Sequence, residues 1–251
     1  MHLTTLVHHL DALLKTSSIK DYSQAQNGLQ LANNGYVTRV AVAVDACAAV
    51  IEEAIAMRAD FLIVHHGLFW GGLQPLTGAF HKKIKMALDH NLAIYSSHLP
   101  LDFHSELGNN ILLARALDLA ELRPALLCQG NLLGLAGECA PLARDLFLEK
   151  VARVVEGSVH LAPGGPSTIR RVLVVTGGAG SEVAAAAAEG IDTFVTGEGP
   201  HWSYTSAEEL GINLIYGGHY ATETFGVKAL GKNLSELFQL PCSFIPHPTG
   251  L

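Results

Sequence analysis

The sequence predicts an α/β fold made of two repeats, each with a mostly parallel mixed sheet, and three observations carry that expectation. Residues 40–44 and 61–64 are almost wholly apolar runs, with the length and β-branched content of strands buried on both faces. Segments with helical spacing of apolar residues alternate with such runs, the order that builds parallel sheets. The pattern then starts again. Arg171-Val172-Leu173-Val174-Val175 repeats Arg39-Val40-Ala41-Val42-Ala43 at an offset of 132, and the same offset carries Asp60 onto Asp192, Gly67 onto Gly199 and Trp70 onto Trp202.

In chain order, Leu3, Leu6, Val7, Leu10, Leu13 and Leu14 fall on one face of a helix, which leaves His8 and His9 toward its polar side. A turn-rich passage leads to Asn27-Gly28 and a short strand over 29–31. The strand over 38–44 ends at Asp45, expected to cap a helix over 46–57. The strand over 61–64 runs into His65-His66-Gly67, and a loop with Gly71, Gly72, Pro75 and Gly78 precedes a helix over 80–90. A strand over 92–95 leads into Ser96-Ser97-His98-Leu99-Pro100-Leu101-Asp102, and a helix over 106–117 closes the first repeat, residues 1–122. The second repeat, 123–251, opens with a strand over 132–136, a helix over 141–155 with Pro141 in its first turn, and a strand over 159–161.

The 251 residues are 49% hydrophobic and 16% charged, a globular composition rather than a disordered one. A net charge of −7 argues against a nucleic-acid groove, which needs a basic footprint. Cys47, Cys128, Cys139 and Cys242 have no close paired spacing, so neither a zinc knuckle nor a disulfide frame is expected, in keeping with a reducing compartment. Charged and polar residues interrupt the N-terminal leucines, and no apolar run reaches the roughly 18 residues of a membrane span. The expectation is a cytoplasmic protein with no membrane partner.

The chemistry-bearing residues gather where strands end. A second match carries Ile94-Tyr95-Ser96-Ser97-His98 onto Ile215-Tyr216-Gly217-Gly218-His219 at an offset of 121, which also carries Asp102 onto Glu223. Each repeat thus has His-x-x-x-carboxylate after a buried strand, a spacing of one helical turn or a tight loop. Facing repeats would gather these groups into a metal site between them. The candidate ligands are His65, His66, Asp102, His219 and Glu223, with His98 as a sixth. Such a set exceeds the needs of one tetrahedral ion and suits two divalent transition-metal ions that share a carboxylate and a water, an arrangement used in hydrolysis. Mixed imidazole and carboxylate ligation fits Zn, Fe, Mn or Ni alike. Capping of loops and helices is the competing explanation for each residue alone, and a duplicated pair disfavours it. His98 and His201 are candidate proton carriers. In Thr176-Gly177-Gly178-Ala179-Gly180-Ser181, a tight turn is favoured over an anion cradle, because neither a dinucleotide fingerprint nor a P-loop lysine is present.

These residues resemble the Nif-three-like dinuclear-metal-centre family, some members of which bear the name GTP cyclohydrolase 1 type 2. The matching motifs are Asn27-Gly28-Leu29-Gln30, Ala59-Asp60 through His65-His66-Gly67-Leu68-Phe69-Trp70, Ser97-His98-Leu99-Pro100-Leu101-Asp102, Thr196-Gly197-Glu198 with His201, and Gly218-His219-Tyr220-Ala221-Thr222-Glu223. The resemblance implies metal ligation by His65, His66, Asp102, His219 and Glu223, two intertwined repeats without an inserted domain, and a ring-shaped homohexamer. It favours a two-metal hydrolase acting on a nucleotide-like small molecule, with opening of a purine imidazole ring as the reaction if the cyclohydrolase name applies. The alternative is a non-catalytic metal-binding scaffold or regulatory ring.

Overall fold

The computed structural model describes residues 1–72, 74–128 and 130–251. In chain order the elements are α1 (Leu3–Leu14), β1 (Gly28–Leu31), β2 (Val40–Asp45), α2 (Ala48–Ala56), β3 (Phe61–His66), α3 (Gly78–Asp89), β4 (Ala93–Ser96), α4 (Leu99–Asp102), α5 (Asn109–Ala116), β5 (Ala120–Cys128) and β6 (Asn131–Ala143). They continue with α6 (Arg144–Val155), β7 (His160–Pro163), β8 (Thr168–Val175), α7 (Val183–Ala188), β9 (Thr193–Thr196), α8 (Trp202–Leu210), β10 (Asn213–Tyr216), α9 (His219–Thr222), α10 (Thr224–Phe238) and β11 (Cys242–Phe244). None of the described helices is long and apolar enough to cross a membrane.

The fold is mixed α/β with two sheets, and the chain forms two compact units. The first comprises Met1–His104 with Gly226–His247, the second Ser105–Phe225 with Pro248–Leu251. These limits differ from a division at residue 122. Strand β5 pairs with β6 and so lies in the second unit's sheet, whereas β11 pairs with β2 in the first.

The first unit holds a five-stranded sheet in the order β1-β4-β3-β2-β11, parallel except for β1. Strands β2, β3 and β4 are fully apolar or nearly so because both faces are covered. On one face Ala41, Ala43, Leu62, Val64 and Ile94 pack against Val50, Ile51 and Ala54 of α2 and Ala87 of α3. Helix α2 starts two residues later than its sequence suggests, with Cys47 at its N-cap and no side-chain cap. Asp45 ends strand β2 instead, and its carboxylate turns to a histidine.

The second unit holds a six-stranded sheet in the order β5-β6-β8-β9-β10-β7, parallel at its centre and antiparallel at its margins. Alternate residues of β8 serve opposite faces. Leu173 and Val175 pack with Phe194, Leu214, Val183 and Ala207, while Val172 and Val174 pack with Val195, Ile215, Phe147 and Val151. Pro141 does not open a helix but lies in β6, where the pairing with β8 is irregular between Glu138 and Leu142, a place that tolerates a missing donor.

The arrangement of β2, β3 and β4 with antiparallel β1 at the side of β4 recurs as β8, β9 and β10 with antiparallel β7 at the side of β10. Details recur as well. The Asp60 carboxylate accepts hydrogen bonds from the Thr38 and Arg39 amides, and the Asp192 carboxylate accepts from those of Arg170 and Arg171. The next strand, however, matches at an offset of 120 rather than 121. Ser97 N donates to Val64 O, and Gly217 N donates to Thr196 O, where 64 plus 132 gives 196 and 97 plus 120 gives 217. In this register His98 corresponds to Gly218, and Leu99 to His219.

Candidate metal centre

In the first unit, the strand ends deliver three imidazoles. His65 and His66 are the last residues of β3, and His98 precedes α4. One nitrogen from each lies within 4.8 Å of the others, a grouping able to hold a metal ion. His65 is fully buried, and His66 and His98 retain only 16% and 12% side-chain exposure.

Each ring is oriented through Nδ1. His65 Nδ1 lies 2.9 Å from the Ser97 carbonyl oxygen, His66 Nδ1 2.9 Å from Asp45 Oδ1, and His98 Nδ1 2.9 Å from Asp21 Oδ1. A carbonyl oxygen can only accept, so His65 must carry a proton on Nδ1, and in the neutral form of the ring the lone pair is at Nε2. Carboxylate partners favour the same tautomer at His66 and His98. This is the arrangement by which proteins orient imidazole ligands and raise their basicity. Asp102, buried in α4, brings Oδ2 to 3.6 Å from His65 Nε2, the side of the ring that bears the lone pair.

Two side chains of the first motif fix the loops that carry these rings. Asn27 Oδ1 accepts from His98 N at 2.7 Å, and Gln30 Oε1 accepts from Leu68 N at 2.6 Å, just beyond the His65-His66 pair. A Cβ on Gly67 would displace the Gln30 carboxamide from its bond to Leu68. Asp21 receives the Leu99 amide at 3.0 Å and the Asn27 side-chain amide at 2.7 Å besides His98. Burial would raise the Asp21 pKa, but the interaction with His98 first, then the bonds from the Asn27 side chain and the Tyr22 amide, hold it below the ordinary carboxylate value.

In the second unit, His219 opens α9 and Glu223 follows its last residue. His219 Nδ1 lies 2.8 Å from Glu198 Oε1, and His219 Nε2 lies 3.2 Å from Glu223 Oε2. The same principle therefore applies, with Glu198 as the orienting carboxylate. Burial alone would lower the His219 pKa; Glu223 first, then Glu198, reverse this and push it up to about 9. The glycine-rich segment bends at Gly177 and Gly178, and the Gly177 carbonyl accepts the amides of Gly197 and Glu198. Gly177 has φ +71°, and a Cβ there would collide with Glu223 Oε1.

Sequence reasoning therefore finds the imidazoles and their nearby carboxylates. Asp21, Asp45 and Glu198 escape it as orienting groups, because each lies 21 or more residues from the ring it holds. His98 stands within the three-histidine group. His201 is exposed just ahead of α8, and among the described residues no hydrogen bond or ion pair ties it to His219, Glu198 or Glu223. His8 is exposed as expected, whereas His9 is partly covered, its ring set edge-on to Phe238 at 5.0 Å.

The Duf34/NIF3 (NGG1p interacting factor 3) family model matches residues 1–249. A GTP cyclohydrolase 1 type 2 homolog of Pyrococcus abyssi is 41% identical over the full length of both chains. One of Deinococcus radiodurans is 40% identical over 98% of this chain and 93% of its own. Among solved structures, the protein ybgI, described as of unknown function, superposes with a TM-score of 0.92 at 34% identity, covering 99% of this chain and 100% of that one. TTHA1606 of Thermus thermophilus gives a TM-score of 0.90 at 36% identity, with both chains fully covered. With its whole length matched in sequence and in fold, the chain belongs to the Duf34/NIF3 family.

Proposed function

We propose that this protein is a dinuclear-metal-dependent hydrolase acting on a nucleotide-like small molecule. The observation that carries the reading is the common orientation of His65, His66 and His98, whose Nδ1 atoms face oxygen acceptors and whose rings each bring one nitrogen to within 4.8 Å of the others. Purely structural histidines have no need of three matched tautomers. The reading assigns His65, His66 and Asp102, with His219 and Glu223, as ligands of two ions per chain. Bound divalent ions would polarise the scissile group and acidify water. The names of the relatives, GTP cyclohydrolase 1 type 2 homologs, support a purine nucleotide as substrate and ring opening as the reaction. A homohexamer, the assembly the family resemblance implies, belongs to the same proposal.

The protein's own residues supply orientation and proton transfer. Asp21 keeps the His98 proton on Nδ1, so Nε2 can take a proton from attacking water, and the nearby carboxylate then steadies the imidazolium. Asp45 and Glu198 hold the rings of His66 and His219 in place. The reading puts proton transfer at His98 rather than at exposed His201. The test is a turnover assay of metal-loaded protein on a panel of nucleotides and phosphate esters, with His65→Ala as the inactive reference. Turnover of a purine nucleotide, absent in His65→Ala, is expected. Full metal loading without turnover of any panel member would overturn the hydrolase reading in favour of a metal-binding scaffold.

A further inference from the structure

Around the three imidazoles lies a second set of rings to which the hydrolytic chemistry assigns no task. Trp70 stands edge-on to His98, with centroids 4.8 Å apart, and 5.6 Å from His66. Tyr22 lies 6.4 Å from Trp70 and 6.0 Å from His98. Trp70 is half-buried, but Tyr22 is 50% exposed. That exposure does not come from a loose loop. The residue before it, Asp21, is fastened by His98, Leu99 and Asn27, and its Oδ1 also accepts the Tyr22 amide at 2.7 Å. The chain therefore presents a half-exposed aromatic side chain from a hydrogen-bonded backbone position beside the histidine group.

We propose that Tyr22 offers a stacking face for a planar heteroaromatic ring of the substrate, with Trp70 beside it at an interplanar angle of 52°. This deepens the hydrolase reading by naming the part of the ligand that the protein itself grips. Aromatic faces hold such rings by stacking with little demand on hydrogen-bond pattern. Tyr22 acts in binding, as a determinant of specificity.

The protein has two tryptophans, Trp70 and Trp202, so Trp202→Phe leaves Trp70 as the sole indole reporter. In that background, titration with guanosine should change Trp70 emission saturably, while ribose 5-phosphate and inorganic tripolyphosphate should not. Adding Tyr22→Ala should weaken guanosine binding roughly tenfold, and Tyr22→Phe should restore it to within about twofold, since the ring and not the hydroxyl carries the contact. Metal content, measured on the same samples, should be the same in all variants. Unchanged affinity in Tyr22→Ala, an equal response to tripolyphosphate, or loss of metal with Tyr22 would each overturn the platform. Guanosine binding is read without turnover, so failure of the platform leaves the hydrolase reading standing, and failure of the hydrolase assay leaves the platform standing.

Discussion

Gly177 leaves empty the volume that the Glu223 carboxylate occupies. Its counterpart in the first unit, 132 positions earlier, is Asp45, which carries a side chain and uses it to hold His66. One position in the repeated pattern thus serves two ends: a carboxylate in one unit, room for a carboxylate in the other. Gly177→Ala should displace Glu223, strain a backbone at positive φ, and cost about 1–3 kcal/mol of stability. Metal content should fall with it. Thermal unfolding and elemental analysis of the variant check both, and a fully loaded, equally stable variant would show that Glu223 has other room.

Metal content is the most direct measure of the proposed centre. Protein purified without chelator should hold close to two transition-metal equivalents per chain, given five or six nitrogen and oxygen ligands. Asp102→Ala and Glu223→Ala should each lower that figure. His8→Ala, at an exposed helix position, should change nothing beyond about 0.5 kcal/mol. Full occupancy in either single variant would remove that residue from the ligand set.

The raised pKa of His219 gives two opposite pH trends. In the metal-free protein, protonated His219 is stabilised by Glu223 and Glu198 relative to an unfolded histidine near pH 6.5. That stabilisation is complete below about pH 6.5 and is lost as pH rises toward about 9, so the melting temperature of chelated protein should fall across this window. A metal must displace the same proton, so apparent metal affinity should rise by up to roughly tenfold per pH unit over the same range. Calorimetry of the chelated protein and competition with a chromophoric chelator measure the two slopes. Parallel slopes would show that His219 does not carry the proton.

The two aspartates that fasten β2 and β8 test the fold apart from the site. Asp60→Ala and Asp192→Ala each strip a carboxylate from a pair of backbone amides, just ahead of β2 and within β8, and should each cost about 1–3 kcal/mol. Metal content should survive both changes in whatever fraction stays folded. Chemical denaturation gives the cost, and a loss below about 0.5 kcal/mol would assign these bonds no structural role.

Strand runs are the most legible part of the sequence, because burial on both faces leaves few polar letters in residues 40–44 and 61–64. Helix starts are less so. Asp45 has the identity of an N-cap, yet a histidine on the neighbouring strand takes its carboxylate, a competition that only the paired strands reveal. Pro141 has the identity of a first-turn residue, yet sits in a strand irregularity. The offset of 121 matches His98 to His219 by residue type, whereas backbone pairing matches His98 to Gly218. A shift of one residue is invisible where few letters are identical. Asp21 is hidden for another reason: it lies in a turn-rich passage without periodicity, 77 positions from the ring it orients.

The three imidazoles differ in how easily mutation can reach what holds them. His66 and His98 depend on the side chains of Asp45 and Asp21, so a single codon change can release either ring. His65 depends on the peptide oxygen of Ser97, which every amino acid at position 97 would still supply. Its orientation is inherited with the pairing of β3 and β4, and only a change in that pairing can take it away. Genetic drift can thus retune two of the imidazoles one substitution at a time, while the third persists for as long as the sheet does.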